Sequence, residues 1–288
     1  MSAITRTAVI TGANSGFGRL TAETLHADGW NVFAAMRNVE TRNAGAAAEL
    51  RAKGISVVEL DVTSDASVDA AALTVFDQAG AVDLLVNNAG TAHFGILEAH
   101  TPASVEAQYA VNVVGPLRVN RAFLPAMRAA KKGLVVFVSS VVGRLTFPYG
   151  GLYASSKWAL EGLAETAQYE LSQFNIDVAI VEPGAFATEI FGKVIGADDT
   201  DRVAEYGAFA QEANERMNAA MASMIGRPPQ DVADVILKLA NAPAGRRAFR
   251  TVVPENEGVE AINAAIAPIQ RGVIVGIGLE DVLPRVLV

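Results

Sequence analysis

The sequence predicts an α/β fold in which helices cover both faces of a doubly wound parallel sheet. Short runs rich in β-branched residues alternate with longer helical stretches, and the loops between them are short. A glycine-rich turn follows the first of these runs. No repeat, low-complexity segment or Pro/Gly/Ser-rich linker divides the chain, so we predict a single domain over residues 1–288.

The predicted strands are short and mostly β-branched. They cover residues 7–11, 31–35, 56–60, 82–86, 134–138, 177–181 and 249–253. Apolar runs of this length are typical of strands that are buried on both faces, as they are in parallel sheets.

Helices are predicted between the strands, and several of their ends carry ordinary signals. Gly29 and Gly54 close the first two helices, while Thr101 and Pro102 supply the N-cap and the first residue of the fourth. The predicted helices cover residues 16–28, 41–53, 65–78, 102–131, 153–174 and 232–241.

Composition excludes several classes of protein. The hydrophobic fraction of 51% provides for a sizeable core and excludes global disorder. A net charge of −8 without Lys/Arg blocks argues against nucleic acid or an anionic membrane as a partner. Because the chain has no cysteine, it has neither disulfides nor thiolate metal sites. No signal peptide or apolar run of ~18 residues is evident, so the expected location is the cytoplasm.

The most informative stretch for chemistry is residues 133–157. A predicted strand ends in Ser139 and Ser140, and a Gly/Pro-rich loop leads to a helix that carries Tyr153 and Lys157. Side chains four residues apart project from one helix face. A nearby ammonium lowers the pKa of a phenol, so this pair is suited to acid/base work. The bare Tyr-x-x-x-Lys pattern arises by chance about once in ~400 positions, so a surface tyrosine with a solvated lysine is the alternative.

The turn after the first strand, residues 11–18, is suited to a dinucleotide. Gly12 permits a tight turn, Gly16 permits close approach to a pyrophosphate, and Gly18 permits packing of the helix on the sheet. The spacing is G-x-x-x-G-x-G rather than G-x-G-x-x-G. Taken alone, the pattern also fits a plain structural turn.

Together, these motifs resemble the short-chain dehydrogenases/reductases, in particular their single-domain branch with a Rossmann-like fold. The resemblance covers about residues 5–190. It depends on the order of residues 11–18, 87–90, Asn112, Ser140, Tyr153, Lys157 and 183–184. The resemblance implies that Ser140 orients the substrate oxygen and that Tyr153 is the acid/base. The resemblance favours Ser140 over Ser139, because Ser140 lies thirteen residues before Tyr153, which is the usual interval in the family. Lys157 would lower the tyrosine pKa and bind the nicotinamide ribose, and Asn112 would hold a water that continues the proton relay to Lys157.

The cofactor implied by the resemblance is NADP(H), with NAD(H) as the alternative. Met36 stands where NAD-preferring relatives carry aspartate, and the guanidinium of Arg37 would match a 2′-phosphate, although a solvated surface arginine is the bland alternative. Asp61 would bond the adenine, and Thr188 would contact the carboxamide. The predicted cofactor-binding residues are Gly12, Ser15, Gly16, Phe17, Gly18, Arg37, Asp61, Val62, Asn88, Ala89, Gly90, Tyr153, Lys157, Pro183, Gly184 and Thr188.

The substrate pocket is predicted from loops that follow successive strands, where an α/β sheet places its ligand crevice. The candidates are His93, Phe94, Phe147, Tyr149, Phe186 and Phe191. They favour an apolar substrate, although loop aromatics also pack against loops. The segment 189–227 resembles the family's substrate-covering region. The histidines have no metal-ligand spacing, so no metal site is predicted.

The C-terminal extension, residues 255–288, ends in apolar clusters at 282–283 and 286–288. We predict that it packs on the core or on a neighbouring subunit; a frayed terminus is the alternative. The resemblance implies a homodimer or homotetramer formed through helices 102–131 and 153–174.

The predicted function is NADP(H)-dependent interconversion of a small-molecule ketone or aldehyde and its alcohol. Two alternatives are a catalytically idle NADP(H)-sensing regulatory protein and an epimerase or dehydratase of the same superfamily. The intact acid/base set argues against the first. The glycine spacing and the absence of a larger C-terminal domain argue against the second.

Overall fold

Seven parallel strands form one sheet in a computed structural model that describes residues 6–189, 193–224 and 226–284. The strands are β1 (Thr7–Thr11), β2 (Asn31–Met36), β3 (Ser56–Glu59), β4 (Leu84–Asn87), β5 (Gly133–Val138), β6 (Ile176–Pro183) and β7 (Arg250–Val253). Their order in the sheet is β3-β2-β1-β4-β5-β6-β7, and every neighbouring pair is parallel. The predicted doubly wound sheet is confirmed.

Helices alternate with the strands along the chain. Within the described residues they are α1 (Gly16–Ala27), α2 (Ala44–Ala52), α3 (Asp65–Ala79), α4 (Pro102–Tyr109), α5 (Gly115–Ala130), α6 (Gly151–Ser172), α7 (Thr200–Glu205), α8 (Gly207–Met224), α9 (Gln230–Asn241) and α10 (Glu257–Gly276). The helices α7 and α8 lie in the segment predicted to cover the substrate, and α10 forms most of the C-terminal extension.

The core has two halves, one on each face of the sheet. Successive residues of β1 point to opposite faces: Val9 packs with Phe123 of α5, and Ile10 packs with Leu25 of α1. All four side chains are fully buried, and each burial contributes about 1.5–3 kcal/mol. Because the strands are parallel, their carboxyl ends lie at one edge of the sheet. At this edge a crevice forms between β1 and β4, where the strand order reverses.

Two predicted helices are wrong in their boundaries. The helix predicted over 102–131 is divided by a five-residue π-helical turn, Ala110–Val114, between α4 and α5. In this turn the buried Asn112 bonds the backbone of Thr91 and the hydroxyl of Ser156. The helix predicted from Thr41 begins at Ala44, because a turn that starts at Asn38, with φ of 57°, comes first.

The C-terminal extension contacts the core through one side of α10. Val259 is fully buried, while Asn263 and Gln270 donate hydrogen bonds to Glu182 and Glu165. Ser172 of α6 also donates to the carbonyl of Val282. The apolar cluster 286–288 lies outside the described residues.

Candidate active site

The turn between β1 and α1 is closed tightly against the end of β4. A Cβ on Gly12, where φ is +66°, would lie 2.8 Å from the Cα of Ala89. On Gly18 it would lie 2.4 Å from Nδ2 of Asn88 and 2.5 Å from the Gly12 carbonyl oxygen. Since real Cβ atoms do not approach so closely, only glycine fits at these two positions.

Asn88 joins this turn to the β4 edge. Its Nδ2 donates to the carbonyl oxygens of Thr11 and Gly12, at 2.8 and 3.3 Å. The hydroxyl of Thr11 accepts from the backbone N–H groups of Asn88 and Ala89, both at 3.0 Å. Asn88 and Ala89, which we predict to bind the cofactor, therefore hold the glycine turn in place.

The first turn of α1 is suited to an anion. Ser15 is the N-cap but makes no side-chain cap hydrogen bond, and no acidic residue lies in the first turn. The N–H groups at a helix start lack intrahelical partners and attract negative charge. Gly16 has a φ of +53°, which favours glycine, and a Cβ at this position would contact the Cβ of Thr188 at 3.6 Å. We call the glycine turn together with the first turn of α1 the cradle; it fits the pyrophosphate of a dinucleotide.

A cavity of about 700 Å³ begins at this turn and extends along the carboxyl edge of the sheet. It is lined by most of the predicted cofactor residues and by one predicted pocket residue. These are Gly12, Ser15, Gly16, Phe17, Arg37, Asp61, Val62, Asn88, Ala89, Gly90, His93, Tyr153, Lys157 and Thr188. Gly18 lies beneath the turn. Pro183 and Gly184 do not line this cavity; their backbones bond Ser140 and Val253.

One end of the cavity carries cationic side chains. Arg37 and Arg42 both line it, and a carboxylate shapes the loop that holds them: Glu59 accepts from the N–H groups of Asn38 and Val39, each at 2.8 Å. Burial raises the pKa of Asp61. The hydrogen bonds from Thr63 and the positive charge of Arg37 outweigh burial, so the pKa is lowered overall. Asp61 is therefore an anionic acceptor at neutral pH.

Tyr153 and Lys157 meet at the other end of the cavity. The Lys157 Nζ lies 5.8 Å from the Tyr153 ring centroid and donates to the Val138 carbonyl oxygen at 2.9 Å. Burial raises the pKa of Tyr153 to about 12, partly opposed by the Ser140 hydroxyl. Burial lowers the pKa of Lys157 to about 8, opposed by the charge of Glu161. At pH 7 the phenol holds its proton and the lysine is mostly charged.

Of the two serines at the end of β5, Ser140 faces the tyrosine. Its Oγ donates to the Pro183 carbonyl oxygen at 3.2 Å and accepts from the N–H of Val142 at 3.3 Å. Ser139 lines the cavity whereas Ser140 does not, and the Ser139 hydroxyl oxygen would lie 2.8 Å from a Cβ on Gly143. The choice of Ser140 therefore stays a prediction, which the hydrogen bond between its hydroxyl and Tyr153 favours.

Asn112 lies behind Lys157 rather than in the cavity lining. Its Oδ1 accepts from the N–H of Thr91 at 2.9 Å. Its Nδ2 donates to the Thr91 carbonyl oxygen at 2.9 Å and to Oγ of Ser156 at 3.0 Å. The side chain thus fixes the π-helical turn against α6 and the β4 loop, close to Gly90.

The predicted pocket aromatics separate into three groups. Phe94 packs on Tyr153 with ring centroids 5.4 Å apart, and Phe147 stacks on Phe94 at 6.0 Å. Tyr149 instead lines a second, open groove of about 510 Å³. Phe186 is 1% exposed and meets Phe17 edge-on in the core, so its prediction as a pocket residue is wrong. Phe191 lies outside the described residues.

The second groove is apolar with an acidic rim. Its walls come from the loop after β4, the loop before α6, the junction between α7 and α8, and α8 itself. They are Ile96, Leu97, Glu98, Tyr149, Tyr206 and Phe209. The Glu98 carboxylate accepts from the Tyr206 hydroxyl at 2.7 Å and from Arg202 at 2.8 Å. These bonds connect the segment 189–227 to the loop after β4, which also carries Phe94.

Comparison with known proteins identifies the family. A family model described as short chain dehydrogenase matches residues 6–199. The chain belongs to the short-chain dehydrogenase/reductase family. Its enzymes are NAD(P)-dependent oxidoreductases, and the cradle, the cavity and the Tyr153–Lys157 pair described above are consistent with that chemistry.

Several relatives of this short-chain dehydrogenase/reductase are similar over most of the chain. Retinol dehydrogenase 8 from Bos taurus is 35% identical over 265 residues, which cover 86% of this chain and 83% of the relative. A metagenomic short-chain oxidoreductase in complex with NADP has 30% identity and a TM-score of 0.66, covering 86% of this chain and 96% of that one. A Burkholderia phymatum enzyme of the family in complex with NAD has 27% identity and a TM-score of 0.73, with coverage of 99% and 98%.

Sequence reasoning missed cavity residues that come from distant parts of the chain. Arg42 and Asn43 line the cationic end, and a second arginine five residues after Arg37 was the available signal. Ile195 lines the other end because its backbone bonds Ala92 and Phe94, both at 3.0 Å. No sequence pattern pointed to that pairing.

His93 borders the cavity as predicted, and it is neutral. It is buried, and its Nδ1 lies 3.0 Å from the Ser104 hydroxyl oxygen. Burial lowers its pKa below the usual value, and the neighbouring His100 acts in the same direction. In the part of the chain that is described, no group of three or more His, Asp and Glu is arranged for a metal ion. None of the helices described is long and apolar enough to cross a membrane.

Proposed function

We propose that this protein is an NADP(H)-dependent oxidoreductase that interconverts an apolar ketone or aldehyde and its alcohol. The observation that carries the proposal is one continuous cavity with the glycine turn at one end and the Tyr153–Lys157 pair at the other. The bound nicotinamide would supply or accept a hydride at the substrate carbon.

The chain's own residues would handle the substrate oxygen and its proton. Ser140 would hold the oxygen, and Tyr153 would donate the proton to it in reduction or remove the proton in oxidation. The Lys157 charge would stabilise the phenolate that remains, because a fixed ammonium lowers the pKa of a neighbouring phenol. Asn112 would hold a water on the turn that it fixes, which continues the proton path to Lys157.

A preference for NADP(H) over NAD(H) is supported by charge at the adenosine end. Arg37 and Arg42 are both exposed and both line the cavity, while Met36 stands in place of a carboxylate. Two guanidiniums attract a 2′-phosphate, and the missing carboxylate removes the group that would repel it.

An apolar substrate is supported by Phe94 and Phe147 beside Tyr153 and by the second groove. The relative named for retinol also favours an apolar alcohol or aldehyde. Assembly into a homodimer or homotetramer through α4–α5 and α6 is part of the proposal. Leu117 and Trp158 on these helices are each 48% exposed, and such apolar side chains favour an interface.

The test is turnover of a varied carbonyl panel, followed by nicotinamide absorbance with NADPH and separately with NADH. Tyr153→Phe should lower kcat by about 10²–10⁴-fold while NADPH binding persists, because only the proton donor is lost. Tyr169→Phe is the matched control, since it removes another phenol from the same helix and should leave kcat unchanged. Unchanged turnover in Tyr153→Phe would contradict the proton-donor role. Cofactor binding without any turnover would favour the sensor alternative.

A further inference from the structure

A cluster of charged side chains lies behind Lys157, between α6, β6, β7 and α10. We call it the buried charge cluster; it consists of Arg144, Glu161, Glu165, Glu182 and Arg250. Glu182 is 0% exposed, Glu161 2% and Arg144 9%. Burying charges costs free energy unless they are paired, so we ask what a buried charge cluster beside a candidate active site does.

Arg250 holds the three carboxylates together. Its Nε lies 3.1 Å from Oε2 of Glu161 and 3.3 Å from Oε1 of Glu182, and it also pairs with Glu165. From α10, Asn263 donates to Oε2 of Glu182 at 2.6 Å and Gln270 donates to Oε2 of Glu165 at 2.8 Å. The Glu161 carboxylate is therefore anchored by a side chain from a neighbouring strand.

The cluster holds three carboxylates but only two guanidiniums, and the charge of one carboxylate, Glu161, acts on Lys157. Lys157 is 5% exposed and lies one helical turn before Glu161 on the same face of α6. Among the described residues, its one hydrogen bond goes to the neutral carbonyl of Val138. The Oε1 atom of Glu161 lies on the same side as the Ser139 hydroxyl, next to Gly143, and accepts no hydrogen bond of ordinary length and angle from the described residues.

The other charged groups around Lys157 do not replace Glu161. Arg144, from the loop after β5, and Arg250, from β7, are cations that disfavour a second positive charge. Burial raises the pKa of Glu182 of β6 to about 7. Burial also raises the pKa of Glu161, where the charge of Arg250 and a hydrogen bond from Ser139 oppose the rise. Of the two carboxylates, it is the Glu161 charge that acts on Lys157. Across the cavity, Glu189 is paired with Lys193. Tyr153 is neutral at pH 7.

We propose that Glu161 is a positioning residue for the reaction assigned above: Arg250 fixes its carboxylate, which keeps the Lys157 side chain charged and in place beside Tyr153. The inference rests on the proposed function only for its catalytic consequence. Glu161 does not line the cavity, and it acts through Lys157. Burial lowers the pKa of Lys157 to about 8, and the Glu161 charge prevents a larger fall.

The experiment titrates Lys157 directly in protein labelled with ¹³C at the lysine side chains, with the signal assigned from Lys157→Arg. In Glu161→Gln the titration midpoint of Lys157 should fall by about one pH unit or more, as expected for loss of a charge several ångströms away. The alkaline limb of kcat on the best carbonyl should move in the same direction. Glu161→Asp keeps the charge and should restore both. Glu161→Ala provides the same test if the glutamine variant does not fold.

Glu165→Gln is the matched control. It removes the same charge from the same helix and from the same Arg250, but one turn farther from Lys157. Its Lys157 midpoint should stay near the wild-type value. An unmoved midpoint in Glu161→Gln, or an equal shift in Glu165→Gln, would overturn the inference. A wild-type enzyme that turns over no carbonyl would instead contradict the proposed function, because the titration does not depend on turnover.

Discussion

The glycine turn and the second groove are built in opposite ways. At the glycine turn the chain meets itself: a Cβ on Gly18 would lie 2.4 Å from Asn88, and the Asn88 amide bonds two carbonyls of the turn. At the second groove, by contrast, apolar side chains face outward, with Phe209 73% exposed and Leu97 63% exposed. The turn is closed by contacts within the chain, whereas the groove leaves apolar surface exposed, of the kind that marks a site for a ligand or a partner.

This difference has a consequence for mutation. A change at the turn must displace backbone, which is costly because interiors are closely packed and yield little. A change in the groove alters only how much apolar area a ligand can bury. Substitutions at the turn should therefore lower both stability and cofactor affinity by large amounts. Substitutions in the groove should change only the affinity for the substrate, and by small amounts.

Gly18→Ala should have the largest effect. Its methyl group would clash with Nδ2 of Asn88 and, at 2.5 Å, with the Gly12 carbonyl oxygen, so the turn must open. We expect a loss of about 1–3 kcal/mol in the free energy of unfolding, as for other overpacked sites. We also expect NADPH affinity to fall by at least ~100-fold, a loss of about 3 kcal/mol of binding energy. Urea unfolding and calorimetric titration measure these two quantities.

Gly162→Ala is the control for this variant. Gly162 lies in α6, it is exposed, and no atom lies within 4 Å of the Cβ that it would gain. Alanine should stabilise the helix by about 0.5–1 kcal/mol and leave NADPH binding unchanged. Wild-type NADPH affinity in Gly18→Ala would show that the turn tolerates a side chain.

Arg37→Ala should have an intermediate effect, confined to one cofactor. If the guanidinium meets a 2′-phosphate, its loss should weaken NADPH binding by about 10–100-fold, the value of one charge-assisted hydrogen bond. NADH affinity should stay the same. Arg51→Ala is the control, because Arg51 is exposed on α2, pairs with Glu40 and does not line the cavity. Equal losses for both cofactors in Arg37→Ala would contradict the 2′-phosphate reading.

The same contrast explains what the sequence could predict. Gly12 and Gly18 have local causes, a strand before them and a helix after them, so spacing alone locates the turn. The α6 pair is equally local, because helical geometry brings Tyr153 and Lys157 to one face. Burial of Phe186 against Phe17, by contrast, depends on the packing of the loop after β6 against α1, which no local pattern encodes.

Hydrogen bonds between residues far apart in the sequence also limit what could be predicted of the fold and the site. The π-helical turn that carries Asn112 is accompanied by bonds to Thr91 and Ser156, which are 21 and 44 residues away along the chain. Ile195 enters the cavity because its backbone pairs with the loop after β4. A helical pattern over 102–131 therefore predicted the helix but not its interruption.

Phe209→Ser should have the smallest effect, and it tests the groove. Phe209 is already mostly exposed, so the fold loses little when it is replaced. An apolar substrate that covers this ring would lose part of the ~1.5–3 kcal/mol that full burial of such a side chain provides. We therefore expect KM for the best apolar carbonyl to rise by about 3- to 10-fold, with kcat and NADPH affinity unchanged. Leu73→Ser, at a 66% exposed site on α3 outside the groove, should leave KM unchanged. A fall in kcat at constant KM would show that Phe209 acts on the reacting end of the substrate and would place the groove closer to Tyr153 than its walls indicate.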